Sequence, residues 1–335
     1  MANGSAELFD QHRSFLWGLL YRMTGCAADA DDLLQETFVR LLERGPERDS
    51  GDDGRPLRPW LVRVGMNLAY DLLRRRRRSP YVGPWLPSPV AVGADSEPVE
   101  AVEAVASGVS TEGRYDLVES MSMAFLVALE ALTPRQRAVL LLRDVFDYSV
   151  RETAAVLASS EGGIKVAHLR ARRAMAAYEG SRHPSIAEAR DQARHALWNF
   201  TEALMTGDLA RVESLLAADC RAMSDGGGEF YAALNPIVGA RNVARFYHGI
   251  FVKFGGIPDA RAIEVGGMPA LCVDIPDRRS ERYHVVSSRV APRFVLQADV
   301  DADGRITRLY SVLATRKLSH VPFVRRQATA SSGRA

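Results

Sequence analysis

The sequence predicts a multidomain protein in which two all-α domains precede a C-terminal α+β domain. Its 335 residues suffice for two or three domains, because a domain typically has about 100 to 200 residues. In the first two predicted units, residues 5–79 and 115–179, apolar residues recur every three or four positions, which is the period of an amphipathic helix. In the third unit, residues 187–320, two such helices are followed by short apolar runs separated by turn residues, which indicates strands.

Three helices are predicted in the first unit. Their apolar positions are Phe15, Leu19, Leu20 and Met23, then Leu33, Leu34, Phe38, Leu41 and Leu42, then Leu61, Val64, Leu68 and Leu72. The segment that follows, residues 80–114, is rich in proline and acidic residues and has no arginine before Arg114. This composition predicts a flexible linker.

The second unit contains a candidate helix-turn-helix. Its helices are predicted from Pro134 to about Asp144, from Ser149 to Leu157 and from Ser160 to Tyr178. The last helix is expected to present a basic outer side made of Lys165, His168, Arg170, Arg172 and Arg173. A recognition helix has this pattern, because its first turns face base edges while distal arginines face phosphates. The alternative is three packed helices with a solvated basic face.

Strands are predicted in the third unit at residues 270–275, 283–286, 294–300 and 305–313. The turn sequence Asp301–Gly304 lies between the last two runs and predicts a hairpin. Residues 321–335 form a predicted polar tail.

The net charge of +2, from 43 basic and 41 acidic residues, conceals an uneven distribution. Residues 26–38 contain four acids and no base, whereas residues 58–78 contain seven arginines and one acid. An acidic helix alone is commonly a solvated surface, but consecutive arginines repel one another unless an anion neutralises them. Trp60 and Asn67 add an aromatic ring and an amide to the basic segment. The combination predicts binding to nucleic-acid phosphates and exposed bases, although Trp60 alone would fit a helical core.

The composition excludes several classes of protein. With 47% hydrophobic and 25% charged residues, the chain is neither collagen-like nor fully disordered. Cys26, Cys220 and Cys272 lie far apart, so neither a zinc site nor a disulfide framework is indicated, and no metal or cofactor is expected. No signal peptide and no long apolar stretch occur, so we expect a cytoplasmic protein without a membrane partner.

The two helical units, taken in order, resemble RNA polymerase sigma factors of the extracytoplasmic-function type. The resemblance covers about residues 8–178 and rests on an acidic DxxDLLQETF helix, a PWLxRxxxNLAxDxxRR helix and an LTPRQR helix-turn-helix. It implies a factor that directs core RNA polymerase to promoter DNA and melts it, binding the polymerase through the clamp helices of its largest subunit and through its flap.

The resemblance also assigns residues to each interface. The residues implied in binding the clamp helices are Asp29, Asp32, Leu33, Gln35, Glu36 and Phe38. Those implied in melting and reading the minus-10 element are Trp60, Arg63, Asn67, Asp71, Arg74 and Arg75. Those implied at the minus-35 element are Ser160, Glu161, Lys165, His168, Arg170, Arg172 and Arg173.

The third unit resembles a SnoaL-like domain of the NTF2-like fold, a curved sheet with helices that form a cone. Its fusion to a sigma core resembles a subgroup of these factors, on the strength of Trp85–Pro89, Asp225–Glu229 and Asn235–Pro236. Ser88 and Glu229 stand where that subgroup often has an acid and a lysine. We predict that the third unit docks on the sigma core and tunes its activity, through Trp85, Leu86, Pro87, Asp225, Gly226, Gly227 and Gly228.

Two other functions remain open at this point. SnoaL-like enzymes transfer protons with acids or histidines inside the cone, for which the candidates are His195, His248, His284, Asp225 and Asp299. Such chemistry would require several of these groups to converge on one closed pocket. The other alternative is a helix-turn-helix regulator that binds duplex DNA without polymerase. The acidic helix at residues 26–38 distinguishes a sigma factor from such a regulator, because a simple repressor has no use for this helix.

Overall fold

The computed structural model describes residues 2–45, 57–91, 115, 117–181, 186–254, 260–275 and 289–323. It confirms the predicted fold class, in which helical domains precede a domain of helices and sheet. The predicted strand at residues 283–286 and most of the polar tail lie outside the described residues.

The first unit consists of helices α1 (Ala2–Thr24), α2 (Ala27–Arg44) and α3 (Leu57–Arg78). Most of the predicted apolar positions meet in its core, where Leu19, Leu20 and Leu61 are fully buried, but Leu42 near the end of α2 is 70% exposed. Gly65 allows α1 and α3 to approach closely, since a Cβ atom there would come within 3.2 Å of the Leu16 side chain.

The second unit begins with a 3-10 helix (Glu119–Met121), and four α-helices follow: α4 (Met123–Leu129), α5 (Pro134–Leu140), α6 (Val150–Val156) and α7 (Glu161–Ser181). Capping boxes start α5 at Thr133 and α6 at Ser149, because each hydroxyl accepts the amide three residues on. Where one helix was predicted to continue to Asp144, α5 passes into a π-helical turn (Leu141–Val145). That turn carries Asp144 into the interior of the unit.

The first and second units share one hydrophobic core. Phe15 of α1 meets Phe146 edge-on, with ring centroids 5.2 Å apart. Arg22 is buried between the units, where its Nε donates to Ser120 Oγ at 2.7 Å and its Nη2 donates to the carbonyl of Leu117 at 2.8 Å. Burial lowers the pKa of Arg22 to about 10. Because the two units share this core, the basic helix α3 and the helix-turn-helix are packed side by side.

Among its described residues, the third unit contains a six-stranded sheet of order β2-β1-β6-β5-β4-β3. The strands are β1 (Leu216–Asp225), β2 (Ile237–Val238), β3 (Ala260–Val265), β4 (Met268–Asp274), β5 (Arg293–Val300) and β6 (Ile306–Val312). β5 and β6 pair antiparallel around the predicted hairpin turn, whereas β1 and β6 are parallel. Helices α8 (Ile186–Met205), α9 (Leu209–Ser214) and α10 (Ala240–Phe254) enclose an apolar core with one face of the sheet.

The opposite face of the sheet is covered by the chain that precedes the second unit. Residues 84–91 were predicted as linker, but Leu86 and Ala91 are buried against Val295 and Tyr310 of the sheet. A 3-10 helix after β6 (Thr315–Leu318) and part of α4 complete this apolar layer. The segment is extended because its prolines prevent a helix, yet its apolar residues still fill the face of the sheet.

Candidate polymerase and nucleic-acid interfaces

The acidic helix α2 separates the six residues predicted to bind polymerase into three pairs. Leu33 and Phe38 are buried in the core of the first unit, where they support the helix. Gln35 and Glu36 are exposed, and Glu36 accepts a hydrogen bond of 2.9 Å from the Nε of Arg40. Asp29 and Asp32 point to the third unit.

Arg316, in the 3-10 helix after β6, contacts both of those aspartates. Its Nη2 lies 2.9 Å from Asp29 Oδ1 and 2.7 Å from Asp32 Oδ2. Hydrogen bonds to the two carboxylates raise the pKa of the guanidinium. His320 Nε2 lies 3.3 Å from Asp31 Oδ2, so three of the four acids of residues 26–38 meet the third unit.

The carboxylate of Asp225, at the end of β1, joins the linker to the third unit. It is fully buried and accepts hydrogen bonds from the Tyr81 hydroxyl at 2.6 Å and from the backbone amide of Leu86 at 2.7 Å. The ammonium group of Lys317 donates to the same carboxylate and to the carbonyl of Leu86. Burial lowers the pKa of Lys317, although the neighbouring Asp225 opposes this shift.

Trp85 is held between two cations. The guanidinium of Arg76 lies 4.0 Å from the ring centroid and the Nζ atom of Lys317 lies 3.9 Å from it. Gly25, at the end of α1, leaves room for the ring, because a Cβ atom there would come within 2.5 Å of it. The indole therefore connects α3, the turn after α1 and the third unit through cation–π contacts.

The glycines after Asp225 form a close turn. A Cβ atom on Gly226 would come within 2.5 Å of the carbonyl of Phe230, and one on Gly227 within 2.8 Å of Ala314. Gly227 and Gly228 also have positive φ angles of 61° and 76°, which side chains disfavour. The turn brings the backbone amide of Gly227 within 3.0 Å of Asp225 Oδ1.

Ser88 and Glu229, where the sequence departs from the subgroup that it resembles, have different surroundings. Ser88 is fully buried, and its backbone amide donates to the carbonyl of Gly25 at 2.9 Å. Glu229 accepts a long hydrogen bond of 3.4 Å from the backbone amide of Thr315. The cation beside Asp225 is Lys317, which the sequence analysis did not single out. One signal was present, because Lys317 is one of only three lysines in an arginine-rich chain.

The residues predicted for the minus-10 element lie along α3. Trp60 packs partly into the helical core, whereas Asn67, Asp71, Arg74 and Arg75 are exposed. The exposed Arg63 donates from Nη2 to the carbonyl of Ala155 in α6, at 2.6 Å.

Two further arginines of α3, outside the predicted set, also bind neighbouring backbone. Arg76 donates to the carbonyl of Thr24 at 2.8 Å and pairs with Glu130 at 3.2 Å. Arg77 donates to the carbonyl of Leu132 at 3.2 Å. The arginine run is therefore divided between exposed side chains and side chains that hold the two helical units together.

The predicted recognition helix α7 is likewise divided. Ser160 caps it by accepting the amide of Gly163 at 3.1 Å, and exposed Glu161, Lys165, Arg170 and Arg173 follow. His168 and Arg172 were predicted on the outer side but point to Asp144, with His168 Nε2 2.8 Å and Arg172 Nη2 2.7 Å from its Oδ1. Burial would raise the pKa of Asp144, but hydrogen bonds from His168 and Arg172 outweigh this effect and lower it.

The candidate proton-transfer groups are dispersed in the part of the chain that the structure describes. Asp299 accepts from the Tyr310 hydroxyl at 2.6 Å and lines a cavity of about 510 Å³ between the sheet and the second unit. Burial raises the pKa of Asp299. Asp225 lies further along the sheet and is occupied by Lys317, while His195 is exposed on α8 and His284 lies outside the described residues. Asp225 and His195 do not line the cavity that Asp299 lines.

Within the described residues, no group of histidine, cysteine and acidic side chains could hold a metal ion. Among the helices that the structure describes, none is both long and apolar enough to cross a membrane.

Comparisons with known proteins agree with this arrangement. Residues 8–79 match the family model of sigma-70 region 2, and residues 122–175 match that of sigma-70 region 4. Two sigma-70 regions in this order define a sigma factor of the sigma-70 class.

Similarity over the whole chain narrows the class. SigJ of Mycobacterium tuberculosis, an extracytoplasmic-function RNA polymerase sigma factor, is 30% identical over 328 residues, covering 96% of this chain and 95% of SigJ. SigG of the same organism is 31% identical over 218 residues, covering 63% of this chain and 58% of SigG. The crystal structure of SigJ matches with a TM-score of 0.71 and 26% identity, covering 95% of this chain and 100% of that one. The chain belongs to the extracytoplasmic-function RNA polymerase sigma factors and acts in transcription initiation.

Proposed function

We propose that the third unit tunes this sigma factor by covering part of its polymerase-binding surface. In this proposal the exposed side of α2, with Asp29, Asp32, Gln35 and Glu36, binds the clamp helices of core RNA polymerase. The contact of Arg316 with Asp29 and Asp32 carries the proposal, because it occupies two of these four side chains. Polymerase and Arg316 would compete for the same carboxylates.

The strength of this contact supports tuning rather than permanent inhibition. The Arg316 side chain is 57% exposed and that of Asp32 is 65% exposed. Ion pairs at such positions contribute about 0 to 1 kcal/mol, because water and salt screen them. A polymerase surface that offers several complementary groups would displace Arg316 at small cost.

We propose in addition that α3 and α7 are the DNA-binding helices. The exposed Arg74 and Arg75 would neutralise phosphates at the minus-10 element, where Asn67 and the outer edge of Trp60 would contact exposed bases. Helix α7 would enter the major groove at the minus-35 element, with Lys165 and Arg173 on its exposed side. Arg63 binds Ala155 in the structure, so its role in DNA binding would require α3 and α6 to separate.

In this function the chain is an initiation factor without catalytic activity of its own, and it works in the cytoplasm, where polymerase and promoter DNA are found. The dispersed positions of Asp225, Asp299 and His195 support this part of the proposal. The match of residues 8–79 to sigma-70 region 2 favours it over a helix-turn-helix regulator that acts without polymerase.

The test is transcription in vitro with core polymerase and limiting amounts of the full chain. We expect Arg316→Ala to bind core polymerase more tightly and to yield more promoter-specific transcript than wild type. Arg305→Ala is the matched control, since this exposed arginine lies on the β5–β6 turn of the same unit. Equal polymerase affinity for wild type and Arg316→Ala would refute the competition. Absence of a promoter-specific product from every variant would refute the assigned interfaces.

A further inference from the structure

The outermost stripe of helix α7 is apolar at its centre. Gly162, Val166, Leu169 and Arg173 follow one another at intervals of four, three and four residues, so they lie along one side of the helix. Val166 is 49% exposed and Leu169 is 53% exposed. The opposite side carries the buried residues Ile164, Ala167, Ala171 and Met175. The stripe therefore faces away from the protein.

Cations border this stripe. Lys165 and Arg170 lie on either side of it and Arg173 lies at its C-terminal end; all three are exposed and have no hydrogen-bond or ion-pair partner among the described residues. His168 and Arg172 are occupied by Asp144 and do not reach the stripe. A helix with an apolar centre and cationic edges fits a groove with an apolar target at its floor and phosphates along its walls.

Gly162 has no role within the protein that requires a glycine. A Cβ atom at this position would meet no other atom within 4 Å, and its φ angle is not positive. A glycine inside a helix lowers helix stability relative to alanine. Its bare backbone lies in the first turn of α7 and on the outward stripe, where it permits a partner to approach the helix axis closely.

We infer that Val166 and Leu169 recognise thymine methyl groups in the upstream promoter element, and that Gly162 allows the close approach this contact needs. The C5 methyl of thymine is the apolar group that a base pair presents in the major groove. Residues three apart are about 4.5 Å apart along a helix, which is close to one base-pair step, so the two side chains contact neighbouring base pairs. The inference rests on the proposed role of α7 and identifies the thymine methyl as the group that this helix recognises.

The first experiment replaces thymine by uracil, which removes only the methyl group. Holoenzyme formed from core polymerase and the full chain selects templates from a promoter pool with a randomised upstream element. In the selected template, uracil at one or two adjacent positions is expected to weaken holoenzyme binding about three- to five-fold each, the loss typical of one buried methyl group. Val166→Ala and Leu169→Ala should each lose the preference for thymine at the position that the replaced side chain contacts and keep it at the neighbouring position. Val252→Ala is the control, since this valine on α10 is also exposed, and it should retain the wild-type preference.

A second experiment uses two glycines of the same helix. Gly162→Ala should lower holoenzyme affinity for the selected template at least about three-fold without lowering the thermal midpoint of the protein, because alanine favours the helix. Gly180 also has open space for a Cβ atom but lies at the far end of α7, so Gly180→Ala should leave binding unchanged.

The outcomes separate this inference from the function on which it rests. Holoenzyme that selects an upstream sequence but binds uracil and thymine templates equally would overturn the inference and leave the role of α7 intact. Wild-type affinity for Gly162→Ala would overturn the close approach. Failure to select any upstream sequence would overturn the role of α7, and the inference with it.

Discussion

Arg316 and Lys317 are neighbours in one short 3-10 helix, yet they bind the rest of the molecule in opposite ways. Arg316 is largely exposed and meets Asp29 and Asp32 at the surface. Lys317 is buried and meets Asp225 in a site closed by Tyr81 and Trp85. The same four-residue helix therefore provides an anchor that holds the third unit to the linker and a contact that a competitor can replace. We therefore propose that polymerase can displace Arg316 from Asp29 and Asp32 without detaching the third unit.

The largest expected effect is on the buried side of this comparison. Lys317→Ala should lower the free energy of unfolding by about 3 to 5 kcal/mol, because the carboxylate of Asp225 would stay buried without its cation. Urea denaturation of the full chain measures this change. The double variant Lys317→Met with Asp225→Asn should recover part of the loss, since it removes both charges together. Lys253→Ala, an exposed lysine on α10, should change stability by no more than about 0.5 kcal/mol. Wild-type stability of Lys317→Ala would contradict the assignment of an anchor.

A second buried carboxylate extends the comparison to the second unit. Asp144→Asn should lower the free energy of unfolding near neutral pH by about 1.5 to 3 kcal/mol, because it loses charged hydrogen bonds to His168 and Arg172. The lowered pKa of Asp144 means that its stabilisation is present above its ordinary pKa of 3.8 and is lost as the pH falls towards the folded-state value. Wild type should thus lose more stability than Asp144→Asn below about pH 4. Asp191→Asn, an exposed acid on α8, is the control, and equal acid sensitivity of wild type and Asp144→Asn would contradict the prediction.

A smaller effect is expected where exposed arginines face DNA. Combined Arg74→Gln and Arg75→Gln should weaken promoter binding about ten-fold and reduce the slope of log affinity against log salt concentration by about one for each arginine, since each neutralises a phosphate. Filter binding of holoenzyme to promoter DNA at several salt concentrations measures both quantities. Arg305→Gln should change neither. An unchanged salt slope would remove Arg74 and Arg75 from the phosphate-binding surface.

These elements also show how far the sequence alone could be interpreted. The helices of the first two units follow from apolar spacing and capping residues, and the hairpin of the third unit follows from its turn, because all of these signals are local. The burial of Leu86 depends on a sheet formed far away in the chain, so a proline-rich composition indicated only a linker. The inward direction of His168 and Arg172 depends on a π-helical turn that carries Asp144 inside, and no periodicity reveals such a turn.

The pairing of Arg316 with Asp29 and Asp32 joins residues almost at opposite ends of the chain, and neither partner predicts the other from its neighbours. This contact gives the smallest expected effect on stability. Arg316→Ala should change the free energy of unfolding by less than about 1 kcal/mol, because Arg316 and Asp32 are exposed to screening by water, although Asp29 is partly buried. Urea denaturation at low and high salt tests this, and the difference from wild type should shrink further as salt screens the pairs. A loss comparable to that of Lys317→Ala would show that Arg316 is also an anchor, and polymerase would then have to detach the third unit to reach α2. A small loss together with tighter polymerase binding would show that Lys317 holds the third unit in place, whereas Arg316 controls the access of polymerase to α2.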